Sequence, residues 1–172
     1  FNSASTSFTV EYPNGTVAKY GHDDTSRVIH SNNSAAYTWL ISHQHDATEK
    51  NYIHYDYTDY GAGETLLTNI AYTGNSATEK GQQTIQFEYT GRRVPRSGYI
   101  AGGYYESTQK LKTINVYTNT STKVRTYNLA YETSNISGRS LLKTVNMCVG
   151  STCLPETTFS WQNSVSETIN FE

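Results

Sequence analysis

This 172-residue sequence has few of the residues that build helices and sharp bends: one methionine, three prolines, and little Leu or Ala beside its many Thr, Ser and Asn residues. No window carries the 3.6-residue apolar period of an amphipathic helix. No apolar run approaches the roughly 20 residues of a membrane helix, and no charged-then-apolar signal segment opens the chain. The formal net charge of −2 gives no electrostatic footprint for nucleic acid or for an anionic membrane, so neither is an expected partner. Catalytic signatures are missing too. There is no G-x-S-x-G, and the serines in RSGY and SGRS have no histidine that sequence can assign to them. GYIAGGYYE (residues 98–106) follows no strand-to-helix pattern, so it is not a phosphate cradle and reads as a flexible connection. Fifteen dispersed acids single out no carboxylate pair. The expectation is no enzyme and no cofactor.

What is abundant is aromatic surface: 13% of residues, fifteen of them tyrosine. Residues 51–61 read NYIHYDYTDYG. On a strand, Tyr55 and Tyr57 share one face with Ile53, while Tyr52, His54 and Asp56 share the other. Alternation of this kind recurs along the chain with turn signals between. SFTVEYPNGTVAKYG (7–21) reads as a hairpin, YTWLISHQH and NYIHYDY as a second, and LLTNIAYTGN with QQTIQFEYTG as a third. KLKTINVYTNTSTKVRTYNLAYE (110–132) gives two long strands, and RSLLKTVNMC with LPETTFSWQ gives the last pair. Residues 91–109 are left as a long loop. The predicted fold is all-β: an antiparallel meander of about ten strands, forming a curved sheet or sandwich-like wall, since hairpin-length connections cannot link parallel neighbours. Residues 1–172 read as one module, with 163–172 a further strand or a tail to the next domain. Because the chain opens on Phe1, a module excised from a longer protein is expected, with any targeting signal outside it.

Five groups of residues could carry more than structure. His43 and His45 lie two apart on a strand, beside Asp46 and opposite His54. An H-x-H pair without a third ligand is a weak metal signal, and polar side chains on a solvated face are the competing reading, so no metal is expected. HDD (22–24) reads as a turn. Arg92, Arg93 and Arg96 could meet a polyanion, or be a solvated loop or ion-pair partners. Cys148 and Cys153 flank Gly150; they are either a disulfide across a hairpin tip or two thiols. NGT (14–16) and NIS (135–137) match the glycan-acceptor pattern, which matters only in a eukaryotic secretory pathway. Aromatic-x-aromatic endings recur in FEYTG, NVYTN, LAYE and FSW, which suits cross-strand ring packing around the whole domain better than one sugar site.

In order along the chain, WLISHQHD (39–46), NYIHYDY (51–57), LLTNIAYTGN (66–75), FEYTGRR (87–93), KLKTINVY (110–117), VRTYNLAY (124–131), RSLLKTV (139–145) and CLPETTFSW (153–161) resemble the Salmonella virulence plasmid B protein family and the B components of bacterial toxin complexes. YGHDDTSRV (20–28) matches as well. The turn DATEKN departs from the family, with one extra residue and Lys50 where the family has Gly. The resemblance implies a bacterial, secreted or exported, non-catalytic part of a large virulence toxin related to the Rhs-type tyrosine–aspartate repeat proteins. Its β shell would hold a toxic C-terminal segment until delivery. It also implies Trp39, Tyr55, Tyr57, Tyr72, Tyr89, Tyr127, Tyr131, Phe159 and Trp161 as packing positions, and as partners other segments of the same polypeptide or other toxin-complex subunits. The Glu-x-Glu signature of the ADP-ribosyltransferase domain in such proteins does not occur here. A reading from a different class is a secreted carbohydrate- or cell-surface-binding β module, motivated by the tyrosines and the Thr/Asn-rich strands.

Overall fold

The structure, a computed structural model, describes residues 7–30 and 35–162. The segment 163–172 lies outside the described residues. The chain forms β1 (Phe8–Glu11), β2 (Val17–Tyr20), a 3-10 turn (Asp24–Ser26), β3 (Arg27–Ile29), β4 (Ala36–Trp39), β5 (Ile41–His45), β6 (Tyr52–Asp59) and β7 (Thr65–Gly74). It continues through β8 (Gln83–Ile100), β9 (Gly103–Thr118), β10 (Thr122–Thr133), β11 (Ser140–Val149) and two short strands, β12 (Thr152–Cys153) and β13 (Thr157–Thr158). An eleven-stranded sheet runs β1-β2-β5-β6-β7-β8-β9-β10-β11-β12, with β13 also on β11, and β3–β4 make a separate two-stranded sheet. Every pairing is antiparallel. The all-β meander expected from the alternation is the observed fold.

Local chemistry sets the turns. In Pro13-Asn14-Gly15 the Gly15 amide donates to the Tyr12 carbonyl (2.9 Å), and the Asn14 side-chain oxygen accepts from the Thr16 amide (3.0 Å). Gly15 sits at φ +82°, where a side chain would also collide with Ala47.

Three expectations need correction. Residues 91–109 are no loop: they belong to the β8–β9 hairpin, which turns at Ala101-Gly102. The alternation there was obscured by a bulge, because the register slips between Gly91 and Arg96 and places Pro95 where no ladder donor is required. The strand read through YTWLISHQH is broken at Leu40, so Trp39 belongs to the small sheet and Ile41 to the large one. Leu40 donates its amide to the Ser26 carbonyl (2.7 Å) and accepts from the Gly21 amide (2.8 Å), so its backbone stitches the turn segment to the sheet instead of continuing a strand. The final strand expected from LPETTFSWQ is instead the two short pieces β12 and β13.

The registers sort side chains onto two faces. One carries Ile53, Tyr55, Ile70, Tyr72, Ile85, Phe87, Ile114, Val116, Tyr127, Leu129, Val145 and Met147, all half-buried. The other is polar and cross-linked: Asn69 donates to Asp56 (3.0 Å), Asn115 and Thr113 to Glu88 (both 2.9 Å), and Thr126 to Asn115 (2.9 Å). Asn115 is buried, and these bonds satisfy its amide.

A repeated device joins the hairpins. Backbone pairing between neighbouring hairpins stops at His43–His54, Asn69–Gln86 and Thr113–Asn128. Just beyond each stop, a tyrosine hydroxyl donates to the next strand's free carbonyl: Tyr57 to Ile41 (2.9 Å), Tyr89 to Leu67 (2.7 Å) and Tyr131 to Leu111 (2.7 Å). The Trp161 indole N–H does the same for Leu142 (2.6 Å). Within each hairpin the register slips beside that tyrosine, between Asp56 and Tyr57, Glu88 and Tyr89, and Ala130 and Tyr131. A bulge therefore accompanies every phenol. Burial, followed by the effects of Tyr55 and Tyr20, pushes the Tyr57 phenol up to about 12, and burial raises Tyr89 and Tyr131, so all three stay protonated donors.

Tyr89→Phe and Tyr131→Phe should each lower unfolding free energy in urea by about 1 kcal/mol, the net worth of a buried hydrogen bond. Tyr127→Phe, whose hydroxyl accepts a long 3.4 Å hydrogen bond from Arg125, should change it by less than about 0.5 kcal/mol. Equal effects at the three positions would remove the bridging role.

Candidate functional site

The densest cluster of titratable groups lies on the polar face at β5 and β6. His43 and His54 face each other across the ladder, as do His45 and Tyr52. Ring centroids are 5.7 Å apart for His43–His54, 5.0 Å for His45–Tyr52 and 5.3 Å for His43–His22. His22 arrives from the segment after β2, where its amide donates to Ser42 Oγ (3.1 Å). His43, His45 and His54 are buried, contrary to a solvated hairpin face. Their nitrogens serve the backbone: His54 Nε2 is 3.1 Å from the Ser76 carbonyl and His45 Nδ1 is 2.8 Å from that of Asp46. Among the described residues no group of three or more His, Cys, Asp or Glu side chains is arranged to hold a metal ion. Burial, then the neighbouring His22 and His54, lower His43 to about 4, against a small opposing pull from Asp23.

Glu64 is a second centre, which the sequence reading missed. It is buried at the β6–β7 turn and accepts from the Thr108 amide and hydroxyl (both 2.7 Å), the Gln109 amide (3.1 Å) and Ser107 Oγ (3.2 Å). Thr108 lies opposite the β8 bulge and has no register partner there, and Gln109 borders it as the partner of Gly91. Burial alone would raise the Glu64 pKa, but the hydrogen bonds from Thr108, Gln109 and Ser107 outweigh it and leave the carboxyl below its ordinary value. Beside it, His30 stacks on Tyr37 (3.8 Å, 4° between planes), and its ring fills the space that a side chain at Gly103 would occupy. The β8–β9 tip is thereby held against the small sheet. Nothing in the spacing of Glu64, His30 and Gly103 announces these contacts.

The remaining singled-out residues are structural in placement. Trp39 packs edge-on against Phe8 at 4.8 Å. Tyr55 and Tyr72 sit half-buried on the apolar face, whereas Phe159 and Trp161 are exposed. Cys148 and Cys153 are disulfide-bonded, with Cα atoms 4.0 Å apart. In the DATEKN turn, the Asp46 carboxylate accepts from Asn51 Nδ2 (2.6 Å) and Thr48 Oγ1 (2.9 Å) and from three backbone amides, which holds its pKa at about 2. HDD (22–24) leads into the 3-10 turn, where Asp24 pairs with Arg27. Arg93 and Arg96 are exposed on β8, not in a loop.

In both centres hydrogen-bonded side chains hold backbone groups of separate segments together, and the fold they fasten is an all-β sheet module. The N-terminal domain of the effector protein SpvB from Salmonella typhimurium has this fold, with a TM-score of 0.75 at 14% identity over 86% of the present chain and 62% of that one. The TcdB2-TccC3-Cdc42 crystal structure gives 0.68 at 16% identity, and the Photorhabdus luminescens Tc holotoxin pore 0.66 at 14%. Each of those covers 81% of the present chain and 9% of the other. The neighbours are thus SpvB-like and toxin-complex proteins, the group that the sequence motifs resemble, and the likeness is one of fold. No protein-family model and no curated protein matches the sequence.

Two outcomes follow. Because His43 titrates lower in the fold than its ordinary value of 6.5, protons favour the unfolded chain. Stability should be level above pH 6.5 and fall by about 1–2 kcal/mol as pH drops from there to about 4, and His43→Gln should flatten that fall in urea titrations. Glu64→Gln should cost about 2 kcal/mol and speed hydrogen exchange at Thr108 and Gln109 ahead of the rest of β9. Unchanged exchange there would refute the clamp.

Proposed function

We propose that this chain is a non-catalytic structural module of a bacterial secreted toxin, building part of a β shell that encloses or delivers a toxic C-terminal segment. The observation that carries this reading is the hairpin-bridging series of tyrosines, in a fold shared with SpvB and toxin-complex components. A wall needs strands whose backbone groups are satisfied from within, and here phenols and an indole supply donors wherever the ladder opens. Trp39, Tyr55, Tyr57, Tyr72, Tyr89, Tyr127, Tyr131, Phe159 and Trp161 are its packing positions. The sheet ends at β1 on one side and at β12 and β13 on the other, and its partners are other segments of the same toxin or its co-subunits. Export is a property of the whole toxin in this reading.

The test is limited proteolysis of the longer polypeptide, following its C-terminal segment beside the same segment expressed alone. Survival of the segment only within the longer polypeptide is the expected result. Equal digestion of both would remove the container role.

A further inference from the structure

The near-neutral total charge conceals a division along the chain. Residues 7–90 hold four Lys/Arg against ten Asp/Glu, whereas residues 91–162 hold nine against three. In a meander, sequence order is spatial order, so the sheet from the β8 bulge onward is basic. Lys123 and Arg125 lie by the β9–β10 turn, while most of its other cations gather at the β8-bulge end. Lys110 Nζ lies 4.7 Å over the Tyr131 ring and donates to Ser140 Oγ (2.7 Å), which joins β9 to the start of β11. Gly138, in the β10–β11 turn, faces Val94 in the β8 bulge. Arg93, Arg96, Arg139 and Lys143 are exposed around these contacts. Among the described residues of this half the one ion pair is Lys143–Glu132, at 3.8 Å.

The same end carries an apolar projection. Beyond Gly91, β8 pairs with β9 alone, and the last five pairs, Arg96–Ser107 to Ile100–Gly103, extend roughly 15 Å at the usual strand rise. His30 covers one side of the tip. On the other, Tyr99 and Tyr104 meet edge-to-face at 5.7 Å, and Tyr99 is 78% exposed; Ile100, which pairs with Gly103 and so points to the His30 side, is still 44% exposed. Cations at the base of a projecting element whose end exposes Tyr and Ile are a combination that an anionic lipid surface recognises. The cations meet headgroups, while the phenol rings and the aliphatic tip enter the interface.

We propose that the β8–β9 hairpin tip, with Tyr99, Ile100 and Tyr104 at its end and Arg93, Arg96 and Arg139 at its base, is a site of peripheral attachment to anionic lipid bilayers. A negatively charged polysaccharide would use the arginines and stack on Tyr99 but leave Ile100 idle, so the exposed aliphatic Ile100 favours the bilayer. The proposal concerns a surface of the module that the shell role does not use, and it stands without that role.

Co-sedimentation of the 172-residue chain with vesicles of phosphatidylcholine, with and without phosphatidylserine, tests it. Binding is expected only with phosphatidylserine, weakening as salt is raised. Each exposed cation at such a surface contributes about fivefold in affinity. Arg93→Glu/Arg96→Glu should therefore reduce binding by more than tenfold, and Tyr99→Ser/Ile100→Ser should also reduce it, with both variants keeping the wild-type circular dichroism and melting temperature. Equal binding to both vesicle types, or none to either, overturns the proposal. So does retention on a heparin column that matches the wild type in Tyr99→Ser/Ile100→Ser, if neither protein binds vesicles; that result would assign the arginines to a polyanion.

Discussion

The structure depends on one constraint: a strand's carbonyls need donors even where its neighbour has turned away. Backbone hydrogen bonds hold the lower parts of adjacent hairpins together, and the ladders end at His43–His54, Asn69–Gln86 and Thr113–Asn128. Beyond those points the Ile41, Leu67 and Leu111 carbonyls accept from Tyr57, Tyr89 and Tyr131. An aromatic ring is long enough to span the gap, and its hydroxyl supplies the donor that the ladder no longer provides. The tyrosine content thus follows from how the meander is joined.

That device lets the upper ends of the hairpins take on other contacts. Once separated, they can be fastened by side chains, as when Glu64 collects the Thr108 and Gln109 amides beside the β8 bulge and His30 seats against Gly103. The lower ends stay in register through the polar ladder and the buried histidines. Among the described residues few large hydrophobic side chains are buried: Val28, Tyr52, Cys148 and two alanines make up the apolar set. Cohesion rests unusually heavily on directional bonds, which tie each hairpin to the next in sequence and suit a wall that grows by adding hairpins.

Much of this was legible beforehand. Period-two alternation and the Pro13-Asn14-Gly15 turn placed most strands, and the ordered run of aromatic motifs pointed to the SpvB-like fold. The spacing was also informative in a way that is clear only with the registers: Leu67-Thr68-Asn69, Leu111-Lys112-Thr113 and Leu142-Lys143-Thr144 are three instances of one bulge, each Leu opposite a tyrosine of the facing strand. The β8–β9 hairpin was misread because Pro95 and a run of arginines interrupt the pattern that marks a strand. The break at Leu40 was missed because Tyr37, Trp39 and Ile41 keep the two-residue period across it.

By itself the sequence determined the class of structure, because side-chain period and turn chemistry are local and each hairpin is closed by its own residues. It also determined where the donors would stand, since aromatic residues recur at strand ends. Tertiary structure alone decided which carbonyls those donors reach, that His22 joins His43 and His54, that Glu64 serves a strand 44 residues away, and that the arginines of the β8 bulge stand at the base of an exposed tip. These are contacts between segments remote in sequence, fixed by bulges and by the points where ladders stop. A one-residue slip in either would move every side chain to the other face.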